Sequence, residues 1–236
     1  MIWLRSTLLF LIQFIATPIV CILMIICLPF GFPVLYRLVR LWTRIAIFSA
    51  RVICGIEYRV IGREHIPSTP TIVLAKHQSS WETFFFLQLF PPPQVWLLKR
   101  ELFRIPFFGW GLAMLRPIAI DRTDKLSALR QLVQQGRERL ARGLWIVIFP
   151  EGTRTRPGES LPYARGGALL ATKTNTPVLP IALNSGNYWP RDSFLKRAGV
   201  ITVSIGKPID PQGFKPEELN AHVQNWIEDE MLRLPS

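Results

Sequence analysis

The chain of 236 residues contains three histidines. One of them, His77, is followed five positions later by a carboxylate, Glu82, in "KHQSSWE". An imidazole with one nitrogen held by a carboxylate keeps the other as a general base near neutral pH, able to take the proton of a hydroxyl. The spacing imposes a condition. Five residues of regular helix turn through about 140°, so the two side chains meet only if His77 lies at or before a helix cap. A covalent nucleophile is not indicated, because there is no G-x-S-x-G and spacing gives neither Ser79 nor Ser80 that role. Direct attack by a substrate hydroxyl is the simpler chemistry.

A second stretch, "FPEGTRTRPG" at 149–158, ends a strongly apolar run. Gly152 would let backbone amides approach an anion, and Arg154 and Arg156 offer planar forks matched to phosphate. It is not the G-x-x-x-x-G-K-[ST] loop of nucleotide hydrolases, and by itself a basic surface turn explains it equally well. Lys99 in "KREL" and Arg122 in "DRTD" follow two further apolar runs, which favours convergence on a phosphate. Arg165 is a weaker addition that a solvated position also explains.

The elements that must hold these residues are legible as apolar runs of strand length at 57–62, 71–77, 94–100, 116–122, 144–150, 177–183 and 200–206. Their near-continuous apolarity predicts a sheet covered on both faces. Amphipathic patterns at 124–143 and 216–234 predict helices between and after them. The alternation argues an α/β fold with a mostly parallel central sheet flanked by helices. In such sheets ligands bind outside the carboxyl ends of the strands, which is where His77, Lys99, Arg122 and Arg154 fall. No internal repeat or second globular domain is visible, so 56–236 is expected to form one domain.

Residues 1–55 differ in kind. Hydrophobic residues make up 49% of the chain, and the excess lies between Arg5 and Arg37, where no residue is charged. A bilayer span needs about 20 apolar residues, so the run is long enough, although Pro18, Pro29, Gly31 and Pro33 interrupt it. A span near 7–28, a broken hairpin entering one leaflet and a tilted interfacial helix all fit. The run is too long for a cleaved signal peptide's apolar core. Net charge is +12, which suits nucleic acid or an anionic membrane surface. Arg37, Arg40, Arg44 and Arg51 fall within about 60° of one another on a helix, with Leu35, Leu38, Leu41, Trp42 and Ile45 among them. That pattern favours a basic interfacial helix at lipid headgroups, and four arginines after the run against one before it favour a cytoplasmic C-terminal domain. Three cysteines, two inside the apolar run, suggest neither disulfides nor a zinc site, and no metal is expected.

Taken together, "HQSSWE" (77–82), "KRELFRIPFFGWGLAMLRPIAIDR" (99–122), "FPEGTR" (149–154) and "TPVLPIAL" (176–183) resemble, in order, the motifs of the glycerophospholipid acyltransferases, in particular the 1-acyl-glycerol-3-phosphate acyltransferases. The resemblance implies transfer of a fatty acyl group from an acyl-CoA or acyl-ACP thioester to the free hydroxyl of lysophosphatidic acid, giving phosphatidic acid. It implies that His77 is the base and Glu82 its orienting carboxylate. Lys99, Arg122 and Arg154 would hold the acceptor phosphate, with Glu151 and Gly152 shaping that loop and Pro180 closing the pocket. It implies no cofactor beyond the thioester co-substrate. The implied partners are a lysophospholipid, the acyl thioester, acyl carrier protein and an anionic membrane surface, not nucleic acid, at a bacterial inner membrane with the catalytic domain on the cytoplasmic face. Another lysolipid or glycerol-3-phosphate is the alternative acceptor, and a non-enzymatic basic membrane-binding protein the alternative of another class. Two positions depart from the family pattern: Glu82 stands where aspartate is usual, and Arg116 where glycine is often found.

Overall fold

The computed structural model describes residues 1–90, 93–120 and 125–235. Each of the seven apolar runs contains or overlaps a strand: β1 (Ile56–Ile61), β2 (Ile72–Ala75), β3 (Gln94–Lys99), β4 (Ile118–Ile120), β5 (Trp145–Ile148), β6 (Val178–Leu183) and β7 (Gly199–Ile205). They form one sheet in the order β1-β7-β6-β2-β5-β3-β4, in which only the β6–β7 pairing is antiparallel. The described α-helices are α1 (Ile2–Ile26), α2 (Phe32–Cys54), α3 (Trp81–Leu89), α4 (Phe108–Met114), α5 (Lys125–Ala141), α6 (Gly166–Thr174) and α7 (Pro216–Arg233).

Strand alternation sorts the core into two layers. Val73 and Ala75 of β2, Trp145 and Val147 of β5, and Leu179, Ile181 and Leu183 of β6 pack with residues of α2 and α3 on one face. Ile72, Leu74, Ile146, Ile148, Val178 and Ala182 point the other way, onto α5, α6 and α7. Helix α3 sits wholly inside the first layer, with Trp81, Phe84, Phe85, Phe86, Leu87 and Leu89 all buried. Apolar residues around its whole circumference make it a core helix rather than a surface one. The edge strand β1 carries Glu57 and Arg59 on its exposed positions, charges that discourage pairing with another chain.

The N-terminal prolines shape a helical hairpin rather than breaking the chain at each one. Helix α1 continues through Pro18 to Ile26, Leu28–Phe30 form a 3₁₀ turn, and Pro33 stands in the first turn of α2, where a missing N–H is tolerated. Helix α1 packs against α2 and also reaches the rest of the chain. The rings of Trp3 and Phe10 meet Phe194 at 6.0 and 5.8 Å, and the Lys196 N–H donates to Ser6 Oγ at 2.9 Å. Leu4, Phe14, Ile15, Ile19 and Ile26 remain exposed. Among the described residues α1 is the one helix long and apolar enough to cross a membrane.

Helix α2 is amphipathic along its length. Arg37, Arg44 and Arg51 are exposed, Arg40 is half-buried, and Leu41, Ile45, Phe48 and Val52 form an exposed apolar stripe beside the arginines. Leu35 and Trp42, expected among the outward residues, instead turn toward the core. Leu35 is buried, and Trp42 meets Phe84 edge-on at 4.9 Å, because the apolar surface of α3 lies on that side. Gln88 of α3 fastens the two helices by donating to the Arg40 carbonyl at 2.7 Å. At the end of α2, Gly55 adopts φ +70° and turns the chain into β1, a conformation open to glycine without steric cost.

Candidate active site

Strands β6, β2 and β5 are parallel neighbours, so their carboxyl ends deliver "NSG" (184–186), "KHQSS" (76–80) and "FPEGTR" (149–154) to one place, beside the N-terminus of α3. Side-chain parity then divides the work. Continuing the alternation of β2, Lys76 points toward α7 and His77 toward α3.

His77 precedes the α3 cap, Ser80, which meets the condition set by the five-residue spacing. Its Nδ1 lies 2.8 Å from Glu82 Oε1, and its ring stacks on Phe149 with centroids 3.8 Å apart and planes 8° from parallel. Nδ1 is held by the carboxylate, which leaves Nε2 as the nitrogen available for proton transfer. The His77 side chain is 17% exposed, whereas that of Glu82 is fully buried.

Glu82 is buried but saturated with hydrogen bonds. Oε1 also accepts from the backbone N–H groups of Gln78 (2.8 Å) and Ser79 (2.7 Å), and Oε2 accepts from the hydroxyls of Ser79 (2.7 Å) and Ser185 (2.8 Å). Burial alone would push this carboxyl up. The hydrogen bond and charge of His77, with the N–H and hydroxyl of Ser79, outweigh burial and hold it below its ordinary value. The extra methylene relative to aspartate therefore does not prevent contact with His77.

The "FPEGTR" loop is tied to the same centre. Thr155 donates to the His77 carbonyl from its N–H (2.7 Å) and its hydroxyl (3.1 Å). Gly152 has φ +70° and its N–H closes a turn onto the Phe149 carbonyl at 3.0 Å. Arg154 is half-buried and donates to Ser80 Oγ at 3.2 Å, one cap residue away from the His77–Glu82 pair. Its carbonyl accepts from Arg191. Arg156 turns away to the exposed carboxylate of Asp192 at 2.8 Å, and Arg165 pairs with exposed Glu217 at 3.0 Å.

Glu151 faces inward, onto Lys76. Its side chain is fully buried and lies 3.4 Å from the ammonium of Lys76. Burial pushes the carboxyl up to about 7, against the opposing pull of Lys76 and of the backbone N–H groups of Glu151 and His77. Lys76 also donates to Glu228 Oε1 of α7 (2.8 Å) and to the Glu159 carbonyl (3.0 Å), and the Tyr163 hydroxyl donates to the same Glu228 oxygen at 2.9 Å. Glu151 thus belongs to a buried framework that fixes the loop carrying Phe149 and Arg154. Lys99 ends β3 opposite Ile120. Its side chain and all of Arg122 lie outside the described residues. Pro180 lies inside β6 opposite Leu74, below the strand ends.

Sequence reading missed Lys76, Ser185 and Glu228. Lys76 was findable, since a lysine ending a wholly buried strand must meet a charge of opposite sign. Ser185 and Glu228 carried no local signal.

A His–carboxylate pair with the carboxylate buried and the imidazole partly exposed, beside an arginine-bearing turn at the carboxyl ends of parallel strands, is an arrangement for activating a hydroxyl near an anion. The family model described as Acyltransferase matches residues 57–184, and the chain belongs to that family. It is 47% identical over 203 residues to the 1-acyl-sn-glycerol-3-phosphate acyltransferase of Pseudomonas aeruginosa, covering 84% of this chain and 79% of that one. It is 29% identical over 189 residues to the enzyme of the same name from Saccharomyces cerevisiae, covering 77% and 61%. The fold also matches the crystal structure of the 1-acyl-sn-glycerophosphate (LPA) acyltransferase PlsC from Thermotoga maritima, with a TM-score of 0.80, 26% identity, and 99% and 97% of the two chains covered.

Proposed function

We infer that the protein transfers a fatty acyl group from a thioester to the free hydroxyl of 1-acyl-glycerol-3-phosphate, giving phosphatidic acid. The observation that carries this reading is the contact of His77 Nδ1 with buried Glu82, beside Arg154 in a chain similar to enzymes of that name.

Each step needs only a proton relay and a good leaving group. His77 Nε2 takes the hydroxyl proton as the oxygen attacks the thioester carbonyl. The resulting imidazolium is stabilised by Glu82, the tetrahedral adduct collapses, and the departing thiolate recovers the proton from His77. A positioned base contributes about 10²- to 10⁴-fold, and holding the acceptor by its phosphate beside the thioester adds a proximity effect. Arg154, with Lys99 and Arg122, is assigned to that phosphate. Gly152 lets the loop turn, and Glu151 holds it from beneath. Coenzyme A or acyl carrier protein serves as the thiol carrier, and the chemistry requires no metal.

Residues 1–55 form the membrane-associating part and 56–236 the acyltransferase domain. The exposed apolar residues of α1, with Leu41, Ile45, Phe48 and Val52 beside three exposed arginines on α2, suit apolar contact with lipid and salt-sensitive attraction to anionic headgroups. The distribution of arginines about the apolar run supports the cytoplasmic face of a bacterial inner membrane.

The test is purified protein in detergent, offered a panel of lysolipids and glycerol-3-phosphate with acyl-CoA or acyl-ACP, with release of free thiol recorded. Thiol release dependent on 1-acyl-glycerol-3-phosphate is expected. Release with none of the acceptors would overturn the reading.

A further inference from the structure

Behind His77, on the α7 face of the sheet, one ammonium meets two carboxyl groups. Lys76, whose side chain is 1% exposed, has three N–H donors and three partners: Glu228 Oε1 (2.8 Å), the Glu159 carbonyl (3.0 Å) and Glu151 Oε1 (3.4 Å). The two carboxyl groups are not equivalent. Glu228 Oε1 also accepts from the Tyr163 hydroxyl at 2.9 Å, and burial, with the neighbouring Glu151 and Glu228, pushes that phenol far up, so it stays a donor. Glu151 is the more deeply buried, and its Oε2 is enclosed without a hydrogen-bond partner among the described residues. An ionised oxygen buried without a donor is costly. Glu228 is therefore the counter-charge of Lys76, and Glu151 is the group that keeps a proton, in line with its rise to about 7.

This division reaches the base. Lys76 and His77 are consecutive residues whose side chains leave on opposite faces, so the anchor of Lys76 sets the peptide from which the imidazole departs. Glu151 Oε1 lies 3.5 Å from the N–H of that same peptide. With the charge of Glu228 gone, Lys76 would keep Glu151 as its one carboxyl partner and draw that oxygen onto the ammonium, away from the His77 N–H.

We propose that Glu228, on the C-terminal helix and 152 positions from Lys76, is a positioning residue for acyl transfer: by taking up the Lys76 ammonium it seats the Lys76–His77 peptide that aims the base. The proposal rests on the acyl-transfer reading above and extends it from the base to the residue that seats it. Glu228 acts through Lys76 rather than on a reacting atom. The charged and titratable groups around the cluster are Lys76 at the end of β2, Glu151 and Tyr163 of the 149–165 segment, and Glu228 of α7. His77 takes part through its backbone N–H, and the Glu159 carboxylate turns outward to the Arg156 N–H. Loss of the negative charge at Glu228 favours ionisation of Glu151, because a like charge goes and the ammonium is left to it alone.

The experiment uses full-length protein in detergent, with kcat and KM from thiol release and with melting curves from pH 5 to 8, for wild type, Glu228→Gln, Glu228→Asp and Tyr163→Phe. Glu228→Gln is expected to lower kcat by about 10- to 100-fold and to leave KM for acceptor and thioester near the wild-type values. The fall in melting temperature that accompanies ionisation of Glu151 should move about one pH unit toward acid. Glu228→Asp keeps the charge, so it should leave that fall at the wild-type pH and recover part of the lost kcat. Wild-type kcat in Glu228→Gln overturns the proposal. So does a kcat loss with the fall still at the wild-type pH, since a merely structural role lowers stability at every pH alike. If Glu228→Gln does not fold, Tyr163→Phe decides, because it removes only the hydroxyl that steadies Glu228. A kcat reduced about three- to tenfold at unchanged KM supports the proposal, and wild-type kinetics overturns it. Absence of thiol release by wild type with every acceptor removes the acyl-transfer reading itself, a result distinct from wild-type kcat in Glu228→Gln.

Discussion

His77 and Glu82 touch at 2.8 Å across the cap of α3, and the carboxylate that holds the imidazole is itself held by four other donors. Such a carboxylate fixes both the tautomer and the direction of the ring. Glu82→Gln removes the charge while keeping the shape, and presents an N–H where Ser79, Ser185 or His77 now donates. We expect kcat to fall by about 10²- to 10⁴-fold, with the acceptor KM changed much less. A steady-state comparison with wild type checks this, and a loss confined to KM would remove Glu82 from its orienting role.

Arg154 stands one hydrogen bond from the α3 cap, and in the proposed function it holds the acceptor phosphate. Arg154→Ala should raise KM by about 10- to 100-fold for acceptors bearing a phosphate monoester, the loss expected for charge-assisted hydrogen bonds. Acceptors without phosphate should be affected far less. Equal effects on the two classes would cancel the assignment.

Glu151 gives the protein a pH dependence of definite sign. Its folded value of about 7 lies above the ordinary 4.5, so the folded state binds the proton more tightly than the unfolded chain. The associated stability is complete below about pH 4.5 and is lost as pH rises through about 7. Glu82, held low, acts oppositely and loses its contribution only as pH falls below the ordinary carboxyl range. Thermal melting in detergent from pH 5 to 8 should therefore show a decline in wild type that is flattened in Glu151→Gln. An equally steep decline in the variant would place the titration elsewhere.

Arg116, where the resemblance to the family pattern leads one to expect glycine, adopts φ +56°. The departure from the family pattern is thus a backbone matter as well as a chemical one. A left-handed conformation costs an ordinary residue about 1 to 2 kcal/mol, and here the guanidinium lies 5.2 Å from the Phe32 ring centroid while the carbonyl accepts from Arg139 at 3.1 Å. Arg116→Ala and Arg116→Gly both delete the Phe32 contact, but only alanine keeps the strained backbone. The glycine variant should be more stable than the alanine variant by about 1 kcal/mol, read from their melting curves. The reverse order would contradict this account of the position.

The strands were legible because each is a short, nearly unbroken apolar run, and a sheet covered on both faces leaves no other use for such runs. Their lateral order was not, since β7 lies between β6, its antiparallel partner, and β1, with which it pairs in parallel across more than a hundred residues. The His77–Glu82 pair could be read from spacing because its geometry is local to one helix start. Ser185, which reaches Glu82 from 103 positions away, leaves no trace in spacing. Lys76 was overlooked although strand parity places it opposite His77, on the α7 face. The inward direction of Glu151 depends on that buried lysine beneath the loop, which the local sequence around Glu151 does not show.

The central claim is that His77 is the base that activates the acceptor hydroxyl. Its most direct test is the rate of thiol release from acyl thioester with saturating 1-acyl-glycerol-3-phosphate, measured for wild type and His77→Ala at matched amounts of folded, membrane-extracted protein. A fall in kcat of at least about 10²-fold is predicted, with melting behaviour close to that of wild type. Acyl transfer at the wild-type rate by the folded variant would contradict the account.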